Sequence, residues 1–104
     1  KPMGPWMVTR DEVPEPGNLA IELRVNGALK QSSSTRELVF GVAELVSRLS
    51  ASTTLRSGTV ISTGTPPGVG QSRKPPEFLR AGDEVSVTVE RIGTITNPVV
   101  SAGG

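Results

Sequence analysis

From Leu19 to Val25 the chain alternates, with Leu19, Ile21, Leu23 and Val25 separated by Ala20, Glu22 and Arg24. A period of two is the pattern of a strand that turns one face inward. Asn26-Gly27 comes next, the pair that best tolerates the positive φ angles of a type I′ turn, and Ala28-Leu29-Lys30-Gln31 returns. The segment predicts a β-hairpin. Val85, Val87 and Val89 alternate with Ser86, Thr88 and Glu90, predicting another half-buried strand, and Thr94-Ile95-Thr96 resumes the pattern after Gly93 interrupts it. The β-branched run Thr59 to Thr63 predicts one more strand. A single stretch has helical period: Val42, Leu45, Val46 and Leu49 fall at i, i+3, i+4 and i+7, a stripe expected to pack into the core. Glu44 stands where a capping box has its glutamate, but Gly41 offers no side-chain oxygen, so the cap is half formed. Arg48, four residues after Glu44, is placed to pair with it weakly on the exposed side. The expected fold class is mainly β with one α-helix (α+β), in a single domain over residues 1–104.

The connections are marked by turn chemistry. Lys1 to Trp6 carries Pro2, Gly4 and Pro5, and starting on lysine it reads as a cut end. Asp11 to Asn18, with Pro14, Pro16 and Gly17, predicts a surface loop, Ser32-Ser33-Ser34 a short polar connection, and Ala81-Gly82-Asp83 a turn. Gln71 to Pro76 is polar, and its Arg73-Lys74-Pro75-Pro76 run reads as a solvated loop, with contact to an anionic ligand as the sharper alternative.

The most informative segment is Val60-Ile61-Ser62-Thr63-Gly64-Thr65-Pro66-Pro67-Gly68-Val69-Gly70, which leads from β-branched residues into a loop of three glycines and two adjacent prolines. Proline fixes φ and removes a donor, and glycine allows φ > 0 and close approach to the backbone. The Thr65 hydroxyl would then sit on a stiff platform. Spacing alone leaves two readings open, a tight connection between strands and a ligand contact. A phosphate cradle fails on residue identity. A P-loop begun at Gly64 needs glycine and lysine where Val69 and Gly70 stand, and a dinucleotide fingerprint begun at Gly68 meets Arg73 in place of its last glycine.

Composition changes the picture mainly by exclusion. The 104 residues contain no cysteine and no histidine, which removes disulfides, thiolate nucleophiles, His- or Cys-liganded zinc and the base of a Ser-His-Asp triad. Any metal would be a hard, oxygen-liganded ion. The net charge of +1 and a total of three aromatic residues, Trp6, Phe40 and Phe78, argue against a nucleic-acid partner. No apolar run approaches the length of a membrane span. The expected location is cytoplasmic, with no membrane partner.

Several segments together resemble the fumarylacetoacetate hydrolase family. They are Pro2-x-Gly4-Pro5-Trp6-x-Val8-Thr9, Val25-Asn26-Gly27, Phe40-x-Val42-Ala43-Glu44-Leu45, Thr63-Gly64-Thr65-Pro66-x-Gly68-Val69-Gly70, Lys74-Pro75-Pro76-x-Phe78-Leu79-x-x-Gly82-Asp83 and Gly93-Thr94-Ile95-x-Asn97-Pro98-Val99. Lys-Pro-Pro and Asn-Pro look most like the branch of acylpyruvate hydrolases and catabolic isomerase/decarboxylases. The resemblance implies a mixed β-roll, usually dimeric, and a Mg2+ or Mn2+ ion held by carboxylates. That ion stabilises the enolate of a small keto acid while a C–C bond breaks or a proton moves. It also implies that Thr65, with Gly64 beside it, lies against the substrate, near its carboxylate.

The departure from the family is equally informative. The family's metal carboxylates, a Glu-x-Glu segment and an aspartate, lie upstream of Pro-x-Gly-Pro, as does a lysine for which Lys1 is no match. The ten acidic residues here read as ordinary surface charge. No catalytic residue and no metal ligand is therefore expected in this chain, which looks like the C-terminal portion of a larger catalytic domain, inactive by itself. It would associate with the missing portion or form a homodimer. The alternative is a non-catalytic β-rich binding or dimerisation module.

Overall fold

The computed structural model describes residues 1–103. The hairpin expected from the alternation is present as β1 (Ala20–Val25) and β2 (Ala28–Ser34), joined by Asn26 and Gly27 at φ of 50° and 80°. β3 (Glu84–Val89) and β4 (Gly93–Pro98) form a second hairpin. All pairings are antiparallel and the order across the four-stranded sheet is β2-β1-β3-β4. With the one helix, α1 (Val42–Ser50), this is the mainly β architecture that the pattern predicts.

Register sorts the side chains by face. Ile21 opposes Val89, Leu23 opposes Val87 and Val25 opposes Val85, and on the next strand Ile95 opposes Val87. These close apolar pairs are what stabilise a sheet. On the other face Glu22 opposes Thr88, Arg24 opposes Ser86, and the Thr88 and Thr94 hydroxyls are 2.8 Å apart. The turn is fixed to β3 through Asn26, whose side-chain oxygen accepts from the Glu84 N–H at 2.9 Å and whose amide donates to Asp83 Oδ1 at 2.9 Å.

The first hairpin carries one irregularity. A regular two-residue hairpin pairing Val25 with Ala28 and Arg24 with Leu29 would place Lys30 opposite Leu23. Instead Leu23 opposes Gln31, Glu22 opposes Ser32 and Ile21 opposes Ser33. Lys30 is the extra residue of a β-bulge, which moves every later side chain of β2 to the opposite face.

Three expectations are corrected. Ser32-Ser33-Ser34 is not a connection but the second half of β2, because backbone pairing with β1 continues through it whatever the side chains. Thr59 to Thr63 forms no strand among the described residues: β-branching favours an extended chain, but no neighbouring edge pairs with it. The α1 stripe is not buried either, since Val42, Val46 and Leu49 are each more than 40 % exposed. Gly41 gives no side-chain cap, as expected, while the Arg48 Nε to Glu44 Oε1 contact is 3.0 Å and the Arg48 guanidinium lies 5.0 Å over the Phe40 ring.

The core is correspondingly small, with Val13 and Leu19 as the buried apolar residues among those described. The chain exposes 8162 Å2, whereas size scaling gives roughly 5,600 Å2 for a compact monomer of this mass. Its radius of gyration, 15.6 Å, likewise exceeds the about 13 Å of a compact domain of this length.

Candidate functional site

The loop from Gly64 to Arg73 lies along β2, the sheet's edge strand, and the bulge explains how it is held. Turned to the inner face, Gln31 is the buried polar side chain among the described residues. Its Nε2 donates to the Pro66 carbonyl at 2.6 Å and to Thr65 Oγ1 at 3.2 Å, with the Pro67 carbonyl at 3.5 Å. Pro66 and Pro67 have no N–H with which to continue a ladder, so a side-chain amide takes the place of backbone pairing. The bond is reciprocated from the loop: the Arg73 guanidinium donates to the Lys30 carbonyl, which the bulge leaves free, and to the Gly68 carbonyl at 3.2 Å.

Arg73 thus has a structural task, whereas Lys74, Pro75 and Pro76 of the same run are exposed loop residues, as expected. Lys30 Nζ donates to Glu77 Oε2 at 2.5 Å, and this bond holds the Glu77 carboxyl below the ordinary carboxylate range.

Two glycines permit this closeness. A Cβ on Gly68, at φ 104°, would stand 2.5 Å from the Lys30 carbonyl oxygen, and one on Gly70 would stand 1.8 Å from that of Glu77. Gly64, at φ 121°, has open space around its Cα.

Gly64 and Thr65 line a cleft of about 290 Å3 with Thr63, Ser33, Phe40 and Leu45. Its lining combines hydroxyls and the exposed Gly64 with apolar Ile21, Phe40 and Leu45, and includes the acidic Glu37. The Thr65 hydroxyl already accepts from Gln31, so its proton is free to point into the cleft as a donor. A larger cleft of about 620 Å3 is lined by Gln31 and Arg73 of the clasp with Leu23, Val25, Phe78 and Leu79, and does not include Gly64 or Thr65.

Among the described residues, no three acidic side chains converge on a point where a metal ion could sit. The donor set does not fit a divalent cation. Asp83 accepts from the Arg80 N–H at 2.8 Å and from Asn26, bonds that lower its carboxyl from the ordinary range. No helix of the described residues is long and apolar enough to cross a membrane.

Gln31 is the site residue that sequence pattern does not disclose. A glutamine at the end of an apparent strand carries no signal until the bulge is known.

Comparison with known proteins places this arrangement among relatives. Residues 1–100 match the model of the fumarylacetoacetate (FAA) hydrolase C-terminal domain. The mitochondrial oxaloacetate tautomerase FAHD2B of Bos taurus is 54% identical over 99 residues, covering 95% of this chain and 32% of its own length. A fumarylacetoacetate hydrolase from Exiguobacterium antarcticum superposes with a TM-score of 0.92 at 43% identity, over 95% of this chain and 35% of the other. A maleylpyruvate hydrolase from Sphingobium sp. SYK-6, solved with manganese (II) ion and pyruvate, gives a TM-score of 0.84 at 37% identity, over 93% and 34% of the two chains. The chain therefore spans about a third of the length of the relatives it matches.

Proposed function

Because the chain belongs to the fumarylacetoacetate hydrolase family over residues 1–100, we propose that it is the C-terminal portion of a divalent-metal-dependent enzyme acting on small keto acids. In this reading its own contribution is to bind the substrate carboxylate through the Thr65 hydroxyl and the Gly64 backbone. The observation that carries it is the polarity of the Thr65 hydroxyl: Gln31 occupies its oxygen as an acceptor, which leaves its proton to be donated into the cleft. A hydrogen bond to a charged acceptor is the strong kind, and a rigid loop pre-organises it.

The cleft, about 290 Å3, suits such a substrate in size. A chain of a few carbons lies against Phe40 and Leu45 while its carboxylate meets Thr65. Clamping the loop keeps the carboxylate in one orientation, so that the reacting carbons are presented in a fixed direction. The acidic residues present do not fit a Mg2+ or Mn2+ ion. We infer that ligands for it lie outside these 104 residues. The manganese and pyruvate found together in the maleylpyruvate hydrolase favour this reading over a module without catalysis.

The test is kinetic, in the full-length protein that carries this chain, with an acylpyruvate as substrate. Thr65→Val keeps size and β-branching and removes one hydrogen bond to a charged acceptor, worth about 1.5–3 kcal/mol. A fall in kcat/KM on the order of ten- to a hundredfold is expected. Thr59→Val, outside the cleft, is the control and should change little. If the control is the damaging substitution and Thr65→Val is silent, the assignment of the carboxylate contact is wrong.

A further inference from the structure

We propose that Gln31 is a positioning residue for substrate recognition: by donating to Thr65 Oγ1 it commits the threonine proton to the substrate side. The inference rests on the reading of Thr65 as the carboxylate contact and adds the element that makes a hydroxyl selective. A free hydroxyl rotates, donating or accepting as its surroundings allow. Held by a donor at 3.2 Å, this one gains a preference for giving its proton to an anion. The same amide holds the Pro66 carbonyl at 2.6 Å, so the position of Thr65 and the direction of its proton are set by one side chain.

The geometry explains why a glutamine stands here. Its position on the apolar face, opposite Leu23, would ordinarily suit a valine or leucine. A buried side-chain amide is tolerated only when it is hydrogen-bonded. No buried side-chain polar atom among the described residues lacks a partner, and the partners of this amide belong to the substrate loop. The bulge at Lys30 is what turns Gln31 inward, and the freed Lys30 carbonyl is closed off by Arg73. The clasp therefore gives the edge strand an inward amide bound to the Thr65 loop, while Ser33 of the same strand lines the cleft.

The experiment is a double-mutant cycle on the full-length protein that carries this chain, with KM and kcat for an acylpyruvate measured separately. Gln31→Met removes the donor with little change in volume. It should raise KM about tenfold with kcat changed less than about threefold, since the interaction is with a carboxylate that does not react. In a Thr65→Val background the same substitution should raise KM less than about threefold, because no hydroxyl remains to be directed.

Gln31→Leu also removes the donor and suits the apolar face, and serves as the second variant, with the same expectation, should Gln31→Met fail to fold. If the donor-removing variant raises KM equally in both backgrounds, or lowers kcat alone, Gln31 merely supports the loop and the proposal is overturned while the Thr65 assignment stands. If Thr65→Val alone leaves kcat/KM unchanged, both fall.

Discussion

Thr65 and Gln31 show that the decisive property at the residue scale is which partner holds a polar atom. Sequence made Thr65 a candidate, because a hydroxyl between Gly64 and Pro66-Pro67 on a stiff loop is an unusual arrangement. It did not reveal Gln31, whose inward orientation depends on a bulge one residue earlier. Nor did it reveal what the last glycines of the loop are for. Gly70 is required by contact: a Cβ there would meet the Glu77 carbonyl oxygen at 1.8 Å. Gly70→Ala is expected to destabilise the protein by about 1–3 kcal/mol, the usual cost of overpacking against backbone. Gly17→Ala, where nothing lies within 4 Å, serves as its control. Urea unfolding midpoints should separate the two, and equal midpoints would show that the loop relaxes freely.

At the scale of elements, what was legible was whatever local pattern dictates, namely the first hairpin with its Asn26-Gly27 turn, the alternating segments that became β3 and β4, and the helical period of α1. The errors share one cause, dependence on a partner. Thr59 to Thr63 has the composition of a strand but no edge to pair with, and Ser32 to Ser34 lacks the composition but has β1 beside it. Two elements are also tied by charge, β2 to the loop beyond Arg73 through Lys30 and Glu77, and β3 to its preceding turn through Asp83. Both carboxyls are lowered in the folded chain, Glu77 chiefly by its hydrogen bond from Lys30 and Asp83 chiefly by the Arg80 N–H.

A lowered folded value means that this stabilisation is fully present above the unfolded values of 4.5 and 3.8 and is lost as pH falls through the folded ones. Stability should therefore hold from neutrality to about pH 5 and decline below it. Glu77→Gln should make the decline shallower, as followed by thermal unfolding across pH. An identical acid limb in the variant would show that the Lys30–Glu77 pair adds nothing to stability. Both carboxyls are exposed, so the effect is modest and weakens with salt.

For the whole molecule the governing fact is surface. The excess over a compact monomer, roughly 2,600 Å2 by size scaling, is more than one partner contributes to a standard protein interface. It includes Trp6, Phe78 and Leu79, all more than half exposed, together with the half-exposed stripe of α1. Exposed apolar side chains of this kind draw partners. The isolated chain is expected to self-associate in light scattering at high concentration, and a freely soluble monomer would count against an incomplete fold. It is likewise expected to bind Mg2+ or Mn2+ weakly in calorimetry, since no acidic cluster converges among the described residues.

The central claim is that this chain provides the carboxylate-binding wall of a keto-acid enzyme whose metal ligands lie elsewhere. The most direct measurement is turnover of an acylpyruvate with Mn2+ present, comparing the chain alone with the chain joined to the amino-terminal portion of a relative that carries those ligands. No turnover is expected of the chain alone, whereas the joined protein should turn over and should lose most of that turnover at subsaturating substrate on Thr65→Val. Metal-dependent turnover by these 104 residues alone, or a joined protein indifferent to Thr65→Val, would contradict the claim.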